Sequence, residues 1–253
     1  MEHYFWEPQH LIKTEKAARA AHRRGERNIE AFYRLIRSQE VPLNFSLNLV
    51  LRIVPSSVRI AFLRQFQVDR APSDILDPQL LYGEDQPVTQ PDLLLQTNTR
   101  RFFVELKVSG SASINQIEKY ARLHAHLDRL QARRKPYLYL LTPGPVERGW
   151  RPKMERTVLK RDGLQAFARN ALRQRKPSMK QLTESIGPSP EALYDSVIDA
   201  LRIGHATWRT IGDCLCSERD RLLAQGGDNA DIMNALIGYF LTDLEARGLG
   251  SRS

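Results

Sequence analysis

The sequence predicts an α/β domain with a mixed sheet, on three observations. Short apolar runs at 79–82, 92–95 and 101–108 are separated by turn residues, as in a strand meander. A fourth run, Pro136-Tyr137-Leu138-Tyr139-Leu140-Leu141-Thr142, follows a helical segment and is stopped by Pro143-Gly144-Pro145. Helical periodicity precedes the meander and dominates the chain after the fourth run.

Residues 11–40 read as the first helix, with Ala17, Ala18, Ala20 and Ala21 followed by Ile29, Phe32, Leu35 and Ile36. Pro42 punctuates. The run from Phe45 to Leu51 starts a second helix that Pro55 ends. Ser56 or Ser57 caps a short third helix carrying Ile60, Phe62, Leu63 and Phe66. Asp and Pro make 69–78 a loop. After the meander, Ser113 and Gln116 match a capping box that opens a helix through about residue 131. The last helix runs over 230–246, with Ile232, Leu236, Tyr239, Phe240 and Leu244 on its apolar stripe. The chain is expected to be one domain over 1–253: a helical part over 1–70, a core over 71–142 and a mostly helical part over 143–253.

Hydrophobic residues make up 42% and charged residues 26% of 253, which excludes a wholly disordered chain. Cys214 and Cys216 are the only cysteines, too few for a disulfide framework or a four-cysteine zinc site. No secretory pattern opens the sequence and no 18-residue apolar run occurs, so a soluble, cytoplasmic protein is expected.

The net charge is +9, and it is unevenly spread. Residues 122–180 carry 16 basic against 4 acidic side chains, and 181–253 carry 6 against 11. Of the 38 basic residues 29 are Arg, whose planar fork suits phosphate. A polyanionic partner is the leading reading, with a solvated face as the alternative. The candidate track comprises Arg129, Arg133, Arg134 and Lys135, then Arg148, Arg151, Lys153, Arg156, Lys160 and Arg161, with Trp150 interleaved, then Arg169, Arg173, Arg175 and Lys176.

Chemistry concentrates in 90–108. If Asn98 and Thr99 form a two-residue hairpin loop, opposed residues have numbers that sum to 197, and Asp92 faces Glu105. Lys107, two positions beyond Glu105, shares its face. Like charges across a pair repel, and apolar residues on both faces of these runs raise the cost of unpaired charge. A divalent cation between the carboxylates would resolve the conflict.

These residues resemble the PD-(D/E)xK nuclease superfamily. Pro91-Asp92 matches its PD, and Glu105-Leu106-Lys107 matches its ExK. Gln116 and Tyr120 match the Gln-x-x-x-Tyr extension of one large branch, on a stripe with Leu123, Leu127 and Leu130. The match covers 79–142 well, 40–66 loosely and the segment from His205 to Trp208 weakly. It implies a restriction-endonuclease-like core: a central mixed sheet flanked by helices, with helical N- and C-terminal extensions.

By this resemblance the chain hydrolyses DNA phosphodiester bonds with Mg2+ or Mn2+. Asp92, Glu105 and the Leu106 backbone carbonyl would hold the metal, an oxygen set that suits such cations. Lys107 would position water or stabilise developing charge, while Gln116 and Tyr120 would orient the metal shell or contact the DNA backbone. An upstream acid is also implied, with Glu40 the first candidate, Glu30 the second, and Glu84 a further residue able to approach. A DNA-binding or assembly protein with little activity, and an enzyme acting on RNA or a nucleotide, are the alternatives. A homodimer or partner protein is left open.

Three features read as unrelated to catalysis. His124 and His126, two apart on a helix, point away from each other and read as surface residues. Cys214 and Cys216 read as buried thiols. The stretch 109–113 reads as a strand-to-helix turn, since it lacks a phosphate-binding Lys.

Overall fold

A computed structural model describes residues 40–66, 91–108, 114–130, 133–144, 191–227 and 229–250. Of the expected first helix over 11–40 only Glu40 is described, and it opens the following helix. The 69–78 loop, the 79–82 strand and the 109–113 turn lie outside the described residues, as do Glu30, Glu84, Arg148, Trp150, Arg151, Lys153, Arg156, Lys160, Arg161, Arg169, Arg173, Arg175 and Lys176.

Ten elements are described: α1 (Glu40–Ile53), α2 (Ser56–Arg64), β1 (Leu93–Gln96), β2 (Arg100–Leu106), α3 (Ile114–Leu130), β3 (Lys135–Thr142), α4 (Glu191–Ala200), β4 (Arg202–Thr207), α5 (Trp208–Gln225) and α6 (Ala230–Ala246). The sheet order is β1-β2-β3-β4. The first pair is antiparallel and the next two are parallel, so the sheet is mixed, as expected.

The hairpin register pairs Leu93 with Val104 and Leu94 with Phe103, the predicted sum of 197. Its turn is built by Thr97, whose Oγ1 accepts the amides of Thr99 at 3.2 Å and Arg100 at 2.9 Å. Such side-chain turns tie the backbone locally, which is why the register could be read from sequence.

Both faces of the sheet are covered. Leu93, Leu95, Phe102, Val104, Tyr137 and Tyr139 pack with residues of α1, α2, α5 and α6. Leu94, Phe103, Leu138, Leu140 and Ile203 pack instead with α3 and α4. Phe66 stacks on Tyr139 with centroids 4.3 Å apart, so the end of α2 is part of the first layer.

Several expectations change. Pro42 does not break the chain but sits in the first turn of α1, where its missing N–H has no helical acceptor to lose. Pro55, not a serine, occupies the N-cap of α2, and no side chain caps it. Lys135, one of the candidate basic residues, opens β3. The region after β3, read as helical, contains β4, whose Arg-Ile-Gly-His-Ala-Thr has little β-branched character and is held by pairing with β3. On α6 the buried residues are Ile237, Phe240 and Leu244, while Ile232 and Tyr239 are exposed. Leu130 is likewise exposed, although Leu123 and Leu127 are buried. His124 is fully buried rather than on the surface: its ring packs on Phe103, and the Tyr137 carbonyl, 3.2 Å from Nε2, gives it a partner there. Cys214 and Cys216 are half-buried rather than buried.

Candidate active site

The open end of the hairpin and the carboxyl end of β2 coincide. Pro91 directs the chain into β1, and Asp92 stands one residue before it. Its Oδ2 accepts the Leu106 amide at 2.7 Å, continuing the hairpin ladder through a side chain. Asp92 therefore sits beside Glu105, as the register requires.

Glu105 is 6% exposed and carries three donors. Lys107 Nζ lies 2.6 Å from Oε1. The Gln116 amide also donates to Oε1, and the Tyr120 hydroxyl donates to Oε2. Gln116 and Tyr120 reach one carboxylate because they stand one turn apart on α3. Burial first, and the Glu105 charge second, hold the Tyr120 hydroxyl well above the ordinary phenol range, so it remains a donor.

Glu40, the first residue of α1, joins the group from the other layer. Its Oε2 lies 3.2 Å from Lys107 Nζ and its Oε1 accepts the Val108 amide at 3.3 Å. Burial pulls the Lys107 ammonium down, but Glu105, Glu40 and Asp92 outweigh it and raise its pKa. Lys107 is a fixed cation. For Asp92 the balance is opposite: burial and then the Glu105 charge raise its carboxyl well above the ordinary range, against the Leu106 amide and Lys107.

The structure thus brings together Asp92, Glu105, Leu106, Lys107, Gln116, Tyr120 and Glu40. It adds Asn44 and Asn48, which no motif singled out, and gives contacts to Trp208 and His205 of the weakly matching segment. Asn44 donates to Asp92 Oδ1 at 3.0 Å, and Asn48 Nδ2 lies 3.2 Å from the Asp92 carbonyl. Buried Trp208 donates its indole N–H to the Lys107 carbonyl at 2.7 Å. On β3, Thr142 Oγ1 donates to the Gly144 carbonyl and accepts from His205 Nε2, both at 2.7 Å. The four-residue spacing of Glu40, Asn44 and Asn48 was the available signal for the first two.

The described residues of the basic track lie elsewhere. Arg129, at the far end of α3, and Arg133 and Lys135, beside the hairpin turn, are exposed. Lys135 donates its amide to the Thr99 carbonyl, and Arg134 donates to Gln96 at 2.6 Å. Lys135 pairs with Arg100, so five residue steps along β2 put about 17 Å between this pole and Glu105.

Asp92, Glu105 and Glu40 set three carboxylates against the one ammonium of Lys107. Among the described residues no group of three or more His, Cys, Asp or Glu has a metal-ligating arrangement. The donors nonetheless fit a hard cation that keeps most of its water and takes one or two carboxylates. The excess negative charge and the raised Asp92 carboxyl are what such a cation would relieve. No helix among the described residues is long and apolar enough to cross a membrane. No protein-family model, curated protein or solved structure matches the chain.

Proposed function

We propose that the chain is a metal-dependent nuclease of the PD-(D/E)xK type that hydrolyses DNA phosphodiester bonds. The observation that supports it is the convergence of Asp92, Glu105 and Lys107, with Gln116 and Tyr120 both donating to Glu105. Asp92, Glu105 and the Leu106 carbonyl would hold Mg2+ or Mn2+, which when bound lowers the pKa of a water and neutralises phosphate charge. Lys107, held protonated by its carboxylate neighbours, stabilises negative charge developing on the phosphate. Tyr120 and Gln116 fix the rotamer of Glu105, and Glu40 tethers Lys107. The net charge of +9 favours a polyanionic substrate.

A second reading is a DNA-binding or assembly protein with this fold and little activity. It is favoured by the pairing of Lys107 with both Glu105 and Glu40, which leaves its ammonium engaged.

The test is cleavage of circular, linear and single-stranded DNA, and of RNA, with and without Mg2+ or Mn2+. Asp92→Ala, Glu105→Ala and Lys107→Ala should each lose at least ~100-fold in rate while staying folded. Wild-type-like cleavage by any two overturns the assignment. Cleavage of RNA alone moves the substrate class. Tight DNA binding by a wild type that cuts nothing selects the second reading.

A further inference from the structure

Helix α1 buries Leu43, Leu47, Val50 and Leu51, and among them it also buries Asn44, 2% exposed, and Asn48, 4% exposed. Burying amides in an apolar layer is unfavourable unless they bond, so their partners matter. We infer that Asn44 is a positioning residue for the Asp92 carboxylate, with Asn48 setting the direction in which Asn44 points.

The orientation follows from donors and acceptors. Asn48 Nδ2 lies 2.8 Å from Asn44 Oδ1, 2.9 Å from the Asn44 carbonyl and 3.2 Å from the Asp92 carbonyl. A reversed Asn48 amide would turn its oxygen toward those carbonyls, so the amide is fixed as a donor. Its own Oδ1 is buried with no partner among the described residues. Helix stability would not select that arrangement, because an unmade buried bond is costly. With Oδ1 committed to Asn48, Asn44 has its amino group left for Asp92 Oδ1, at 3.0 Å. The other carboxylate oxygen takes the Leu106 amide at 2.7 Å. Asp92 is thereby pinned between α1 and β2, and a chain of three side chains determines how it faces Glu105.

The experiment reads the pin itself in metal-free, full-length protein, by amide hydrogen exchange. In Asn44→Leu the Asp92 carboxylate is released, and the Leu106 amide should exchange at least about tenfold faster while the amides of β3 keep their rates. Asn44→Ala serves if the larger side chain prevents folding. Unchanged Leu106 exchange, or equal acceleration of Leu106 and β3, overturns the inference, since the second pattern is a general loss of stability. A second measurement rests on the metal-dependent reading: calorimetry should show Mg2+ binding weakened about 10–100-fold in Asn44→Leu, as for residues that orient metal ligands. A wild type that binds no Mg2+ overturns that reading, while the exchange result alone decides the role of Asn44.

Discussion

Asp92 and Glu105 face one another across the open end of one hairpin, yet their surroundings differ in kind. Glu105 receives an ammonium, an amide and a phenol hydroxyl. Among the described residues, Asp92 receives neutral donors, the Asn44 amide and the Leu106 backbone N–H. Burial and the neighbouring Glu105 charge consequently fall on Asp92, whose carboxyl is raised well above its ordinary range. Asp92 is the group that a cation would discharge, and its replacement is the most informative.

A carboxyl with a raised folded-state pKa stabilises the fold while protonated, and that stability is lost as pH rises through the folded pKa. Above it, in chelator, Asp92→Asn should therefore melt at or above wild type. Mg2+ that binds only the folded state, at about five times its dissociation constant, adds roughly 1 kcal/mol, a shift of about 2–4 °C for a chain of this size. Wild type should show this shift and Asp92→Asn should lose most of it. Equal shifts in both proteins would show that Asp92 is no metal ligand. A variant clearly less stable in chelator would mean that Asp92 serves the turn after Pro91.

The basic pole at Arg129, Arg133 and Lys135 is expected to bind without participating in cleavage. The ~17 Å between this pole and Glu105 is about five base pairs of duplex at ~3.4 Å per step. Arg133→Ala with Lys135→Ala should lower the log–log salt slope of binding to a long duplex by up to about 0.9 per lost contact. The single-turnover rate at saturating DNA should not change. A reduced rate would place these residues against the reacting phosphate, and an unchanged slope would make the pole a solvated face.

His124 should make the fold acid-labile. Its ring is fully buried, packs on Phe103 with centroids 4.3 Å apart and bonds the Tyr137 carbonyl. Burial, and then the Arg101 charge, hold its pKa well below the usual histidine value. Stability is then complete above the unfolded value of about 6.5 and falls below it, by at most about 1.4 kcal/mol per pH unit, until the folded pKa is reached. Urea midpoints at pH 7, 6 and 5 should fall more steeply for wild type than for His124→Phe. Parallel lines would assign the acid response to other groups.

Much of the site was legible in the sequence because it is local. The Asn98-Thr99 turn, the alternation of the two runs and the spacing of Asp92, Glu105 and Lys107 all lie within one hairpin, and turn geometry transmits register over that distance. Gln116 and Tyr120 were named through the resemblance, and one-turn spacing puts them on one face of the next helix; that both reach Glu105 is seen in the structure.

Beyond local rules Glu40 was reached only through the family resemblance, and other features were misread or unread. His124 looked like a surface residue because a polar side chain on a helix ordinarily is one; the Tyr137 carbonyl that accepts it comes from another element. β4 looked like part of a helical region because its residues have weak strand preference, and only the exposed edge of β3 makes them a strand. The basic track had no position in the sequence reading; the 17 residues of α3 carry the chain about 25 Å along the helix before Arg133 is reached.

By itself, then, the sequence determined the hairpin, its register and the paired carboxylates, since backbone alternation and a two-residue turn suffice for these. Only the tertiary structure decided what surrounds them. The contacts of Glu40, Asn44 and Asn48 cross more than 40 residues of sequence, and those of Trp208 cross 101. Such contacts depend on how helices pack on the finished sheet, where desolvation and donor direction, not chain spacing, determine the protonation and aim of each carboxylate.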